Sequence, residues 1–379
     1  MSTRRGLTVA CVQDAEAFAA LRGEWAELLH ASGRSNPFLT WEWLHPWWVH
    51  FGNAHGLRLL VVRDGGELMA VAPLWLISAP LYWFSRLEFL GTGEAGSDYL
   101  DVIVRRGRED EAVGALAEFL TARQLTLRLT HLPPASIAAQ LAKRLSSAGW
   151  MSSFADDGVC PVVDLSGHTF ESYLATLGAS HRANIRRRLR VLGRKFEVRF
   201  DRVTRHEERQ SALTALAEFH SRRYTDRGGS TAFTSPAARA FHEDATRLAL
   251  DRGWLRMYQL TLNGALAAVM YGFSDSGRFF FYQHGYDEAY APHSVGLALM
   301  ALTINAAIGE GASEFDMLWG TESYKSLWAR RTHVLRRVDL YPVHLGGSVQ
   351  RHAAEARRGA AGLARRVLSL RTAGATRAR

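Results

Sequence analysis

FFFYQHGYDEAYAPHSVGLALMALTINAAIGEG, residues 279–311, decides the fold. Arg278 to Tyr286 is an aromatic-rich run that reads as a strand. A polar loop follows. From Ser294 to Gly309 the chain is apolar and of helical length, and it stops on Gly309-Glu310-Gly311. A short strand, Glu314 to Leu318, comes directly behind. Upstream, Leu255 to Leu262 and Ala265 to Ser274 are further strands. Asn263-Gly264 marks one hairpin between them and Asp275-Ser276-Gly277 a second, leading into Arg278. A meander followed by a helix and one more strand is the order of a mixed α/β domain.

The pattern extends in both directions. Phe170 to Leu177, Ala179 to Leu192, Glu207 to Arg223 and Pro236 to Asp251 read as helices, with a strand over Phe196 to Val203 and a polar loop from Thr225 to Ser235. Val334 to Tyr341 closes the series. The first 165 residues repeat the style. Residues 14–31 form a helix, the aromatic run at 37–52 a short second one, and Leu57 to Val62 and Leu68 to Leu76 pair through Asp64-Gly65-Gly66. Leu87 to Leu90 and Tyr99 to Val104 add strands, Glu109 to Leu120 a helix, Leu125 to Leu132 a strand and Leu141 to Ala148 a helix. The expected architecture is therefore α/β (mixed), in two tandem halves, each a mostly antiparallel central sheet flanked by helices and lying side by side. The expected domains are 1–165, 166–345, and a basic Ala/Arg-rich tail at 346–379. No repeat is visible in the letters themselves; the duplication rests on element order.

Composition narrows the class. At 379 residues, 47% hydrophobic and 22% charged, the chain is ordinary for a globular protein with a large core. Cys11 and Cys160 are far apart, which argues against a disulfide framework and a thiolate metal site, and fits a reducing, cytoplasmic setting. No apolar segment follows Arg4-Arg5 as a signal peptide requires. The run Leu68 to Phe84, broken by Pro73 and Pro80, is short for a membrane helix. The net charge of +9 is concentrated in residues 182–199 and in the tail, which leaves the rest of the chain net negative. The tail is a candidate for contact with an anionic membrane surface or RNA.

Three stretches can carry chemistry. In SHRANIRRRLRVLGRK, residues 180–195, Arg182, Arg186 and Arg190 share one helical face, and no acidic residue interrupts the block from Arg182 to Lys195. Such an unpaired stripe suits phosphates. The helix beginning at Ser294, Val295 and Gly296 presents free N–H groups and a positive dipole end, the arrangement that holds pyrophosphate. Gln283 and His284 sit on the strand before it, the histidine either as general base or as a hydrogen-bonded core residue. In FDMLWGTESYKSLWA, residues 315–329, Asp316, Glu322, Tyr324 and Lys325 cluster just after a strand. A carboxylate there can orient or deprotonate a nucleophile, a tyrosine can protonate a leaving thiolate, and Lys325 is one of only three lysines.

These motifs in order, with NPFLTWEWLHPWWVHFG (36–52), VAPLWL (71–76) and SDYLD (97–101), resemble the CelD/BcsL-like acetyltransferase family. That family is a branch of the GNAT superfamily related to the Fem-type peptidoglycan aminoacyltransferases. The resemblance implies a double GNAT fold and acyl transfer from acyl-CoA, with no metal, to an amine or hydroxyl of a polysaccharide, cell-envelope or secondary-metabolite precursor. On that reading Asp316, Tyr324, Lys325 and His284 are catalytic. Gln283, Ser294, Val295, Gly296, Arg182 and Arg186 hold the donor. Where GNAT proteins carry a Q/R-x-x-G-x-G/A loop, this chain has APHSVGLA. Two alternatives remain: transfer from aminoacyl-tRNA, favoured by the basic segments, and a non-catalytic binding module.

Overall fold

The computed structural model of the chain describes residues 3–4, 6–34, 36–52, 56–80, 85–224, 233–343, 347–349 and 351–352. The first half runs β1 (Thr3–Arg4), β2 (Leu7–Val12), α1 (Ala15–Ala20), α2 (Arg22–Ser32), α3 (Trp41–Phe51), β3 (Gly56–Asp64), β4 (Glu67–Ile77), β5 (Arg86–Phe89), β6 (Ile103–Val104), α4 (Glu109–Thr121), β7 (Thr126–Leu132), α5 (Ile137–Ser147) and β8 (Met151–Asp164). The second runs α6 (Phe170–Thr176), α7 (Ala179–Lys195), β9 (Val198–Arg202), α8 (His206–Tyr224), α9 (Pro236–Asp251), β10 (Leu255–Leu262), β11 (Ala265–Asp275), β12 (Arg278–Tyr286), α10 (Val295–Gly309), β13 (Glu314–Asp316), α11 (Lys325–Trp328) and β14 (Arg331–Tyr341).

The turns explain the meanders. Asn263 and Gly264, Ser276 and Gly277, and Gly65 and Gly66 all take positive φ at the three hairpin tips, as two-residue primed turns require. Strands β9 to β12 are successively antiparallel, and β12 then pairs in parallel with β13 after the α10 crossover. The first half does the same: β2 to β5 are antiparallel, and β5 pairs in parallel with β7 after α4. The repeat absent from the letters is thus present in the topology.

The halves do not keep separate sheets. Among the described residues all fourteen strands belong to one sheet, whose central order is β5-β7-β14-β8-β13-β12. Each half sends its last strand across: β14 pairs with β7, and β8 pairs with β13. The two exchanged strands pair with each other over Met151 to Val162 and Arg331 to Tyr341. The side-by-side sheets expected from the sequence are fused through this exchange. The core is shared as well. Phe38 and Trp43 of the first half pack edge-on against Phe273 of the second, with ring centroids 6.2 and 5.6 Å apart.

Other expectations shift locally. Residues 14–31 divide into two helices at Leu21. Of the strand expected over Tyr99 to Val104, only Ile103–Val104 is extended in the sheet, because Tyr99 adopts φ +56°. The loop Thr225 to Ser235 up to residue 232, and nearly all of the basic tail, lie outside the described residues. Among the described residues no helix is long and apolar enough to cross a membrane.

Candidate active site

Strands β12 and β13 pair only from Arg278 to Phe280 and from Glu314 to Asp316. Beyond that point they separate. Met317 donates its backbone N–H to Pro161 O at 2.9 Å and Gly320 to Val159 O at 3.1 Å, so this segment follows β8, not β12. Strand β12 continues to Tyr286, and along Phe281–Tyr286 its edge facing away from β11 carries no strand partner in the described sheet. A β-bulge in β12, where Phe281 and Gln283 face the consecutive residues Gly272 and Tyr271 of β11 and Tyr282 is the extra residue, marks where the divergence begins. The result is a wedge within the sheet. His284 and Tyr324 face each other across it, with ring centroids 5.7 Å apart.

The start of α10 stands at the open end. Ser294 caps it from the left-handed region, φ +58°, and Gly296 approaches the Tyr286 ring so closely that a Cβ would lie 3.3 Å from it. The first turn of α10 has no acidic residue. Its counterpart in the repeat, α4, begins Glu109-Asp110-Glu111 and would repel an anion. The two halves therefore differ in charge at equivalent helix starts, where backbone N–H groups can hold an anion. His220 of α8, a residue without any signal in the sequence, donates its Nε2–H to His284 O at 2.9 Å, and Gly285 lies beneath Leu216 and Phe219. This pins β12 beside the wedge.

Asp316 and Lys325 were expected to face one opening. Asp316 is instead fully enclosed between the halves. Its Oδ2 accepts from Tyr99 OH at 2.6 Å and Arg278 Nη2 at 3.1 Å, and its Oδ1 from Leu318 N–H at 2.8 Å. Burial pushes its carboxyl up to about 7, and the Tyr99 and Arg278 contacts only partly offset this. Burial likewise raises the Tyr99 phenol, with Asp316 beside it adding to the effect. Lys325 is also buried; its ammonium donates to Leu318 O at 3.1 Å and Trp319 O at 2.7 Å and pairs with Glu322 at 3.1 Å. Both side chains hold the 317–324 loop from within.

Ligand atoms of Glu314, Asp316 and His333 lie within 4.8 Å of one another, a spacing that a cation can use. The Arg278 guanidinium already sits among them, 2.7 Å from Glu314 and 3.1 Å from Asp316, and supplies the compensating charge.

The cationic stripe also departs from expectation. Arg186 is not unpaired: it meets Glu171 of α6 at 2.5 Å. Arg182 donates to Ala175 O at 3.0 Å and so caps α6. The start of α7 packs on α11 through His181 and Trp328, 4.9 Å apart, and Phe196, just past its end, packs on His293, 4.9 Å apart. Helix α7 thus spans both sides of the wedge. Arg182 lies about 21 Å from Phe196 by helical rise, at the end away from the start of α10.

Comparison with known proteins supports one class of activity. Residues 179–326 match the acetyltransferase (GNAT) domain model. The match covers the wedge, α10 and the loop through Lys325, and it supports an acyltransferase. No curated protein matches the chain. Among solved structures, a conserved protein of unknown function from Bacteroides thetaiotaomicron VPI-5482 is similar with a TM-score of 0.58 at 13% identity, over 88% of this chain and 100% of that one. FemX aligns with a TM-score of 0.58 at 10% identity, over 88% and 96%. The C-terminal (DUF2156) domain of a putative lysylphosphatidylglycerol synthetase from Agrobacterium fabrum aligns at 0.56 and 10%, over 90% and 96%. At these identities the likeness is one of fold, and it extends across both halves.

Proposed function

We propose that the chain is an acyl-CoA-dependent N- or O-acyltransferase of the CelD/BcsL-like kind, with its donor in the wedge of the second half. The observation that carries this reading is the divergence of β12 from β13 with an acid-free helix start at its mouth. The exposed edge of β12 offers backbone groups to an extended chain, as a missing strand would. The N–H groups of Val295 and Gly296 receive phosphate, while Ser294, whose own N–H donates to Ala291 O at 3.0 Å, sets the helix start that presents them. The thioester carbonyl then lies near Gln283 to Gly285, where a backbone N–H stabilises the oxyanion. The acceptor nitrogen or oxygen bonds to the acyl carbon, the C–S bond breaks, and Tyr324 returns a proton to the departing sulfur. His284, across the wedge, takes the proton that the nucleophile loses. Asp316 and Lys325 act through the loop that they hold, and Arg182 and Arg186 lend charge at the acceptor end. The acceptor is read as a polysaccharide, envelope or secondary-metabolite precursor met in the cytoplasm.

Calorimetric titration with acetyl-CoA, longer acyl-CoAs and charged tRNA tests the reading. Saturable binding of an acyl-CoA is expected. Binding of charged tRNA without any CoA would replace it with aminoacyl transfer, and binding of neither would leave a non-catalytic module.

A further inference from the structure

The halves also meet at a second opening, at the other end of β12 from the wedge. Helix α2 and the start of α3 form one wall. Arg252 and Trp254, which follow α9, and the β11–β12 turn at Asp275 and Ser276 form the other. The cleft between them measures about 520 Å³, the size of a small-molecule site, and such sites gather where two domains meet. The strand from Arg278 to Gln283, about 17 Å long at the usual rise, separates it from the place of the thioester. Glu42 is the group that the protein leaves incomplete here. It lines the cleft from the first turn of α3, with its side chain only 4% exposed. Its Oε1 accepts twice, from Arg252 Nε at 2.9 Å and from Arg22 Nε at 3.3 Å. Its Oε2 has no hydrogen-bond partner among the described residues. A buried carboxylate oxygen left bare is costly, and an unsatisfied group of this kind points to something bound.

The other groups say what fits. Both arginines meet Glu42 through Nε, so their terminal nitrogens stay available as donors. Charge in the cleft balances: Arg34 and Arg252 line it together with Glu42 and Asp275. Arg34 is already held by Asp101 at 2.9 Å and by Ala135 O at 3.0 Å, and Asp275 accepts from Ser276 Oγ at 3.0 Å. An anion would lie against two carboxylates and an organic cation against two guanidiniums. Of the indoles, Trp41 is covered by His45, stacked at 4.2 Å, and by Arg22 at 5.0 Å, whereas Trp254 is half-buried and lines the cleft. Donors and acceptors in equal measure beside an aromatic wall suit a neutral ring whose hydroxyls both donate and accept and whose C–H face is apolar. We propose that this cleft binds a neutral sugar unit. One hydroxyl donates to Glu42 Oε2, a neighbouring hydroxyl accepts from Arg252, and the C–H face lies on Trp254. The site performs no covalent step, and it does not depend on the acyltransferase reading.

The test titrates the full chain with the methyl glycosides of glucose, galactose, mannose and N-acetylglucosamine. Sodium acetate, n-butylammonium chloride and cyclohexanol serve as charged and apolar controls, and binding is read by saturation-transfer NMR. At least one glycoside is expected to bind saturably and more tightly than every control. Glu42→Gln removes one acceptor oxygen and should weaken that glycoside about five- to tenfold. Ala26→Phe fills the cleft from α2 without touching the carboxylate and should abolish binding, which keeps the test decisive if Glu42→Gln melts early. Binding of no glycoside, a control that binds as tightly, or glycoside affinity unchanged in folded Ala26→Phe would each overturn the proposal. Acetyl-CoA is titrated in parallel. Its failure to bind while a glycoside binds would overturn the donor assignment and not this one.

Discussion

Asp316 shows how a residue can be legible in type and illegible in role. The motif around it pointed to a carboxylate at a strand end. Nothing local indicated that Tyr99, 217 positions away, would close over it. Its raised carboxyl carries a pH signature. The folded chain holds this proton more tightly than the unfolded chain, so the carboxyl favours the fold in acid. That contribution is lost as pH rises from roughly 4, the unfolded value, to about 7. Asp316→Asn should therefore flatten the fall in melting temperature across this window; an unchanged profile would show that the carboxyl is ionised throughout. Lys325 behaves differently. Lys325→Met leaves the Leu318 and Trp319 carbonyls without their donor, and thermal unfolding should register a loss of about 1–3 kcal/mol. Turnover lost with stability intact would instead return Lys325 to direct chemistry.

Elements were the most legible level, because turn chemistry is local. Asn263-Gly264 and Asp64-Gly65-Gly66 marked hairpins that the backbone confirms. The break of 14–31 at Leu21 and the left-handed turn at Tyr99 were hidden, since both answer to packing partners distant in sequence. The pairing of Arg186 with Glu171 was hidden for the same reason: the acid lies on the preceding helix. The start of α10 gives a test that separates folding from binding. Ser294→Asp keeps a residue that tolerates the left-handed region and places negative charge at a helix N-terminus, which stabilises the helix by about 0.3–1 kcal/mol. The same charge opposes a bound phosphate. The variant should melt no lower than the wild type and bind acetyl-CoA about tenfold more weakly, as read by differential scanning and titration calorimetry. Undiminished binding would move the phosphates away from α10.

For the whole molecule, duplication was readable from element order, but the exchange of β8 and β14 was not, because strand partners at long range leave no periodicity behind. The exchange has a mechanical consequence. Residues 166–345 alone would lose both β8 and β7, leaving the β13 edge and the whole of β14 unpaired. That fragment should not fold by itself, and the full chain should unfold in one transition in scanning calorimetry. Two separate transitions would contradict the fused sheet. The central claim is the place of the donor. Hydrogen–deuterium exchange of the full chain, with and without acetyl-CoA, tests it most directly. Protection is predicted along 281–286 of β12 and over the first turn of α10. Protection of β5 and the start of α4 instead, or none in either half, would contradict the account.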